Sequence, residues 1–305
     1  MQGDAVQVPD VSPELPGRTW RVVLTMLRFL PQASLSRGMG QLADVPLPPR
    51  LRGPVLGTVA RALGIDLREA EHPPEAYASI NALFVRRLRP GARAVNPDPA
   101  VAVSPVDGVV GQLGRVRNGR VIQAKGRDYS VADLLADPVQ AATYDAGSFL
   151  TIYLSPRHYH RIHSPVAGRV TMARYIPGGL WPVNEPAVQH IPNLFPRNER
   201  LLAGIDGPLG RTVLVAVGAY NVGRISAVFD PEWAAPRWAS NRAGGRAAAR
   251  AYDPPWSIAK GAELMAFHLG STVVLLFDAA LELEPGLAPG REIRLGSAVA
   301  RRVSA

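Results

Sequence analysis

Leu269-Gly270-Ser271-Thr272 runs directly into Val273-Val274-Leu275-Leu276-Phe277. The apolar run reads as a buried strand, and the Gly-Ser pair at its mouth reads as the turn that admits it. Similar short runs occur earlier at Arg120–Ala124, Phe149–Leu154, Arg169–Tyr175, Thr212–Val217 and Arg224–Val228, most of them separated by turn residues. With 29 glycines and 29 prolines among 305 residues, many short strands fit better than a few long helices. The expected fold class is α+β. A β-rich catalytic domain is expected over residues 76–305, after a small N-terminal helical region over residues 1–75.

The N-terminal region carries its own pattern. Arg18, Arg21, Thr25 and Arg28 share one side of a helix over Arg18–Leu30, and Trp20, Val23, Leu24, Leu27 and Leu30 cover the other. A basic stripe opposite an apolar face with a tryptophan suits an interfacial membrane helix, whereas a helix packed on the domain is the plainer alternative. Val22–Leu30 is too short to span a bilayer. A second helix is expected over Pro54–Leu63, starting at Pro54 and burying Leu56, Val59 and Leu63. No clear internal repeat is visible.

Composition limits the chemistry. Lys+Arg number 34 and Asp+Glu 25, a net charge of +9, so the chain should favour anionic partners. Nucleic acid and an anionic membrane surface are both candidates; the basic residues are spread rather than clustered with aromatics, which weakens the nucleic-acid reading, but charge alone does not decide between them. Without cysteine, disulfides, thiolate metal sites and a cysteine nucleophile are excluded.

Three segments carry candidate chemistry. Ser104-Pro105-Val106-Asp107-Gly108 sets a carboxylate in a tight turn, a common structural pattern when taken alone. Tyr159-His160-Arg161-Ile162-His163-Ser164-Pro165, with His158 before it, gathers half of the six histidines. A metal site would need further ligands and no familiar zinc motif is present, so general acid–base work is the better reading. The third segment is Gly270-Ser271, where an activated hydroxyl could attack the carbonyl of the preceding residue.

Together, and in this order, these segments resemble the phosphatidylserine decarboxylase family. Asn81–Arg93 is similar to that family's aromatic-x-Arg-x-Leu-x-Pro-Gly-x-Arg segment. Lys125-Gly126, Pro182-Val183-Asn184, Asn198-Glu199-Arg200 and Val217-Gly218-Ala219 extend the match. One departure stands before the cleavage site, where Met265 replaces the glycine of Lys-Gly-x-Glu-x-Gly.

The resemblance implies a proenzyme that cuts itself between Gly270 and Ser271 by autocatalytic serinolysis. A large chain, residues 1–270, and a small chain, residues 271–305, would remain associated. Asp107, His163 and Ser271 would form the cleavage triad, with Asp107 holding the His163 tautomer. Ser271 would become a covalent pyruvoyl cofactor, and no metal is implied. His160 is the expected proton donor in decarboxylation of phosphatidylserine to phosphatidylethanolamine and CO2. His72, His158, His190 and His268 are expected to be structural or surface residues.

The expected setting is a peripheral one on the cytoplasmic face of the cell membrane, with a homodimer as the default assembly. Beside a non-enzymatic lipid-binding module, which would not explain the ordered Asp, His and Gly-Ser segments, two rival readings remain. One is a serine hydrolase using the same three residues, although Ser271 lacks the Gly-x-Ser-x-Gly elbow. The other is a pyruvoyl decarboxylase of another serine-containing substrate.

Overall fold

The computed structural model describes residues 32–124, 126–220, 224–234, 245–268 and 271–303. These described residues belong to one compact unit. The amphipathic segment Arg18–Leu30 lies outside the described residues, as do Leu269 and Gly270.

In chain order the first strands are β1 (Val101–Val103), β2 (Gly108–Arg115), β3 (Arg120–Ala124), β4 (Arg127–Ser130) and β5 (Ser148–Tyr153). They are followed by β6 (Arg161–His163), β7 (Gly168–Ile176), β8 (Arg200–Gly207), β9 (Gly210–Val217) and β10 (Ile225–Ala227). The last are β11 (Ala248–Ile258), β12 (Glu263–Phe267), β13 (Thr272–Phe277), β14 (Leu281–Leu283), β15 (Glu292–Ile293) and β16 (Ala298–Arg302).

An eight-stranded sheet has the order β11-β7-β8-β9-β13-β5-β2-β15, and every neighbouring pair is antiparallel. Two three-stranded sheets, β10-β12-β6 and β1-β16-β14, accompany it. The main core includes Val273, Leu275 and Phe277 of β13, Leu150 and Ile152 of β5, Met265 and Phe267 of β12, and Val299 of β16. Val274 and Leu276, on the opposite side of β13, are also fully buried. Burial on both faces explains why β13 reads as an unbroken apolar run.

The helices before the strands belong to the same compact unit. Helix Pro49–Leu63 buries Leu56 and Ala60 and shares a small core with Ile65, Tyr77 and Leu83. Its start corrects the expectation at Pro54: Pro49 occupies the first turn, and Pro54 sits inside the helix. Pro54 is exposed, so the carbonyl whose helical bond the proline ring removes has water as an alternative. No helix among the described residues is long and apolar enough to cross a membrane.

The structure corrects the expectation of no internal repeat: the short motif Ser-Pro-Val-x-Gly, written twice in the sequence, builds two related turns. Ser104-Pro105-Val106-Asp107-Gly108 joins β1 to β2, and Ser164-Pro165-Val166-Ala167-Gly168 joins β6 to β7. Each serine hydroxyl donates within its own turn, Ser104 to the Val106 carbonyl at 2.7 Å and Ser164 to the Val166 carbonyl at 2.6 Å. The turns also exchange backbone bonds. Val103 N–H donates to the Pro165 carbonyl at 2.9 Å, and His163 N–H donates to the Pro105 carbonyl at 2.8 Å.

Candidate active site

Ser271 stands at the entry to β13. Its carbonyl accepts from Leu154 N–H at 2.8 Å, and the next residue, Thr272, pairs with Tyr153 of β5 and Val217 of β9. The Ser271 side chain is fully buried, and its Oγ has no hydrogen-bond partner among the described residues. A buried hydroxyl without a partner is costly unless chemistry requires it, which makes this atom a candidate nucleophile.

β12, which leads toward Ser271, brings the imidazoles with it. It pairs with β6, placing Glu263 opposite His163 and Ala266 opposite Arg161. One residue further, Phe267 N–H donates to the His160 carbonyl at 2.9 Å. His160 is fully buried, and neither ring nitrogen has a hydrogen-bond partner among the described residues. Its ring lies 5.1 Å from that of Phe84, tilted by 60°. Burial, reinforced by the nearby Arg86 guanidinium, lowers its pKa to about 3, so the ring is neutral at physiological pH.

His163 is held on both nitrogens. Nδ1 lies 2.7 Å from the Gly261 carbonyl, which can only accept, so Nδ1 carries the proton. Nε2 therefore presents its lone pair to the Tyr159 hydroxyl at 3.2 Å. Burial lowers the His163 pKa, opposed by the Gly261 carbonyl bond. Neutral His163 is thus equipped to act as a base through Nε2.

Asp107 has a different partner from the one expected. Arg93 Nε donates to Oδ1 at 2.9 Å and Nη2 to Oδ2 at 2.6 Å, while Leu295 N–H donates to Oδ1 at 2.9 Å. Arg93 also donates to Glu69 at 2.6 Å, and these bonds, chiefly those to Asp107, raise its pKa. No hydrogen bond joins Asp107 to His163 among the described residues. The tautomer-setting contact expected of Asp107 is made instead by the Gly261 carbonyl, because both Asp107 oxygens are engaged elsewhere. The Asp107 charge still favours the imidazolium form of His163 through space. Gly108 has a tighter role than turn formation: a Cβ there would lie 2.5 Å from the Tyr153 carbonyl.

The remaining histidines are structural or peripheral. His72 is exposed, His190 caps the Pro186 carbonyl at 2.7 Å, and His158 Nδ1 accepts from Ser155 N–H at 2.9 Å. His268 lies just before the Gly270–Ser271 segment. Its Nδ1 faces Asn81 at 3.1 Å and Arg224 at 3.0 Å, and its Nε2 faces Ser226 at 3.1 Å. The first two partners are donors, so its proton is on Nε2. Met265, the departure from the glycine pattern, is a fully buried core residue of β12.

A cavity of about 430 Å³ is lined by Phe84, Tyr153, Leu154, Val183, Ala219 and Met39 among others, and its lining residue Leu154 is the one whose N–H holds the Ser271 carbonyl. Its largely apolar lining suits hydrocarbon.

A buried serine at a strand entry, the neutral His160 and His163 on the segment paired with the preceding strand β12, and an apolar cavity make up a candidate lipid-accommodating enzyme site. Residues 80–301 match the family model for phosphatidylserine decarboxylase, and the chain belongs to that family. It is 44% identical to the phosphatidylserine decarboxylase proenzyme of Anaeromyxobacter sp. (strain K), across 90% of this chain and 96% of that relative. Identity to the proenzyme of the same name from Azotobacter vinelandii (strain DJ / ATCC BAA-1303) is 40%, across 92% and 97%. For that of Myxococcus xanthus (strain DK1622) it is 40%, across 84% and 89%.

Sequence reading named Asp107, His160, His163 and Ser271 as the candidates. It missed Gly261 and Tyr159 as the partners of His163. It also missed Arg93 as the partner of Asp107, although Arg93 ends one of the quoted segments. A backbone acceptor such as Gly261 leaves no side-chain signal.

Proposed function

We propose that this chain decarboxylates phosphatidylserine to phosphatidylethanolamine and CO2 after cutting itself between Gly270 and Ser271. The observation that carries this reading is the fully buried Ser271 Oγ without a hydrogen-bond partner at the entry to β13. Cleavage there would separate residues 1–270 from 271–305. β13 would remain laddered between β5 and β9, which supports continued association of the two chains.

In the self-cleavage, His163 takes the Ser271 proton at Nε2, while the Gly261 carbonyl fixes Nδ1–H and the Asp107 charge favours the imidazolium. The residues around Ser271 fit a pyruvoyl group made from it: the orphaned Oγ is removed by the conversion, and Leu154 N–H already anchors the residue's carbonyl. When present, a pyruvoyl carbonyl supplies an electron sink for the bond that breaks as CO2 leaves. Neutral His160 carries one N–H and one lone pair in a dry setting, and it is assigned the return of a proton to the carbon that lost CO2.

The same proposal sets the enzyme peripherally on the cytoplasmic face of the cell membrane. The charge of +9 supports attraction to anionic lipid. Met39 and Leu42 are exposed beside the cavity, and Val45 and Leu51 are exposed nearby in sequence. A homodimer is the assembly we propose.

Intact-mass measurement of the wild type beside Ser271→Ala tests the core of the reading. Two chains divided after Gly270, the smaller lacking one ammonia relative to an N-terminal serine, are expected from the wild type alone. A single unmodified chain from active wild type would refute self-cleavage and favour a serine hydrolase.

A further inference from the structure

Near His160 lies a buried charge that neither self-cleavage nor the return of a proton uses. Arg86 is 4% exposed, and neither Nε nor Nη1 has a hydrogen-bond partner among the described residues. It also enters no ion pair there. The acids whose charge it feels, Asp107 and Glu69, are both bonded to Arg93 at 2.6 Å. Burial accordingly lowers the Arg86 pKa. A desolvated guanidinium without an anion is costly to the fold. Its planar fork of donors matches an oxyanion such as phosphate.

The residues before Arg86 fix its place. Phe84 lines the apolar cavity and sets its ring 5.1 Å from that of His160. The Val85 carbonyl accepts from Arg161 Nε at 2.8 Å. Successive residues of one segment are thus tied to His160 and Arg161 of the other, and Arg86 follows directly. Its charge acts on the His160 ring, whose two nitrogens are themselves unpartnered among the described residues. An unpartnered guanidinium and an unpartnered imidazole therefore lie together beside Phe84, a wall of the cavity.

We propose that Arg86 binds the phosphate of phosphatidylserine and so sets the headgroup against His160. This rests on the decarboxylase reading above. In the lipid, the carbon that loses CO2 is joined to phosphorus through one CH2 and one oxygen. A phosphate held near His160 therefore presents that carbon to the imidazole. The carboxylate is the poorer partner for Arg86. Its charge disperses as CO2 leaves, so a cation holding it would stabilise the reactant more than the transition state. The phosphate keeps its charge throughout, and a grip on it serves binding without opposing the reaction.

The test measures CO2 release from phosphatidylserine in mixed micelles by the mature wild type and Arg86→Met, each verified as two chains by intact mass. The methyl phosphotriester of the same lipid, neutral at phosphorus, is the second substrate. Arg86→Met is expected to raise KM for phosphatidylserine about 10- to 100-fold with kcat within about twofold, as for a charged hydrogen bond made equally before and during reaction. On the triester the two proteins are expected to share one KM. A loss of equal size on both lipids overturns the proposal, because a structural role, a grip on the carboxylate or a site for free phosphate would give it. An unchanged KM for phosphatidylserine overturns it too. Arg86→Lys keeps the charge without the fork and is expected between the two, so the comparison stands if the methionine variant does not mature. In a Ser271→Ala background, Arg86→Met is expected to leave the urea midpoint no lower, since the cation has no partner to lose; a lowered midpoint overturns the proposal. A wild type that releases no CO2 would instead refute the underlying reading, and the proposal with it.

Discussion

Gly261→Ala tests whether one backbone carbonyl governs the base. Gly261 has φ +77°, and a Cβ there would meet Val95 Cγ2 at 2.7 Å. The left-handed backbone costs a non-glycine residue about 1–2 kcal/mol, and the overlap with Val95 adds roughly 1–3 kcal/mol. The lower entropy of the unfolded alanine chain offsets about 0.4–1 kcal/mol of this. The expected net loss is about 1–5 kcal/mol, read by urea denaturation in a Ser271→Ala background that keeps the chain whole. Val95→Ala should recover the steric part, leaving the backbone part. Function should suffer separately, because the carbonyl hydrogen bond to Nδ1 strengthens as His163 becomes charged. A hydrogen bond to a charged group contributes about 1.5–3 kcal/mol, so losing it should slow maturation roughly 10- to 100-fold. Wild-type maturation together with a stability loss below about 0.5 kcal/mol, well under the combined strain estimate, would refute this role for Gly261.

Two further outcomes follow from buried charge. Arg93→Met leaves Asp107 and Glu69 without their shared cation and should cost about 3–5 kcal/mol in the same urea assay, part of which Arg93→Met/Asp107→Asn should recover; a loss below about 1 kcal/mol would contradict the buried network. His160 and His268, with pKa values lowered to about 3, and His158, lowered to about 4, are neutral when folded but protonate near pH 6.5 when unfolded, so stability is present above about pH 6.5 and falls with acidification. The expected slope is about 1.4 kcal/mol per pH unit for each between pH 6.5 and its folded value; urea titrations with no loss from pH 7 to pH 5 would contradict neutral burial.

Much of the fold was legible because β13 is buried on both faces and β5, β7 and β9 have strong apolar runs. Arg120–Ala124 emerges with the expected limits, and the apolar run Val273–Phe277 emerges within β13. β11 was not legible. Asp253-Pro254-Pro255 interrupts it, and the strand survives at the edge of the large sheet by shifting register between Ala251 and Trp256. The site shows a similar division. Its titratable side chains could be named from sequence, but their partners depended on which groups reached them first. Arg93 is distant from Asp107 along the chain, yet it claims both carboxylate oxygens.

The repeated turns explain why Asp107 and His163 come together at all. In one copy the strand preceding the turn ends in Val103 and the turn carries Asp107. In the other the corresponding residues are His163 and Ala167. The reciprocal bonds from Val103 to Pro165 and from His163 to Pro105 bring each strand end against the opposite turn. His163 therefore faces the turn containing Asp107, while Val103 faces the turn containing Ala167. The same scaffold produces two related corners, but only one combines an imidazole with a carboxylate. Gly261 and Gly296 occupy corresponding places, with φ values of +77° and +87°, and each donates its N–H to the serine carbonyl of the adjoining turn. At the reactive corner the Gly261 carbonyl also meets a histidine. The repeat supplies the rigid frame, and the two unequal residues make one half of it chemical.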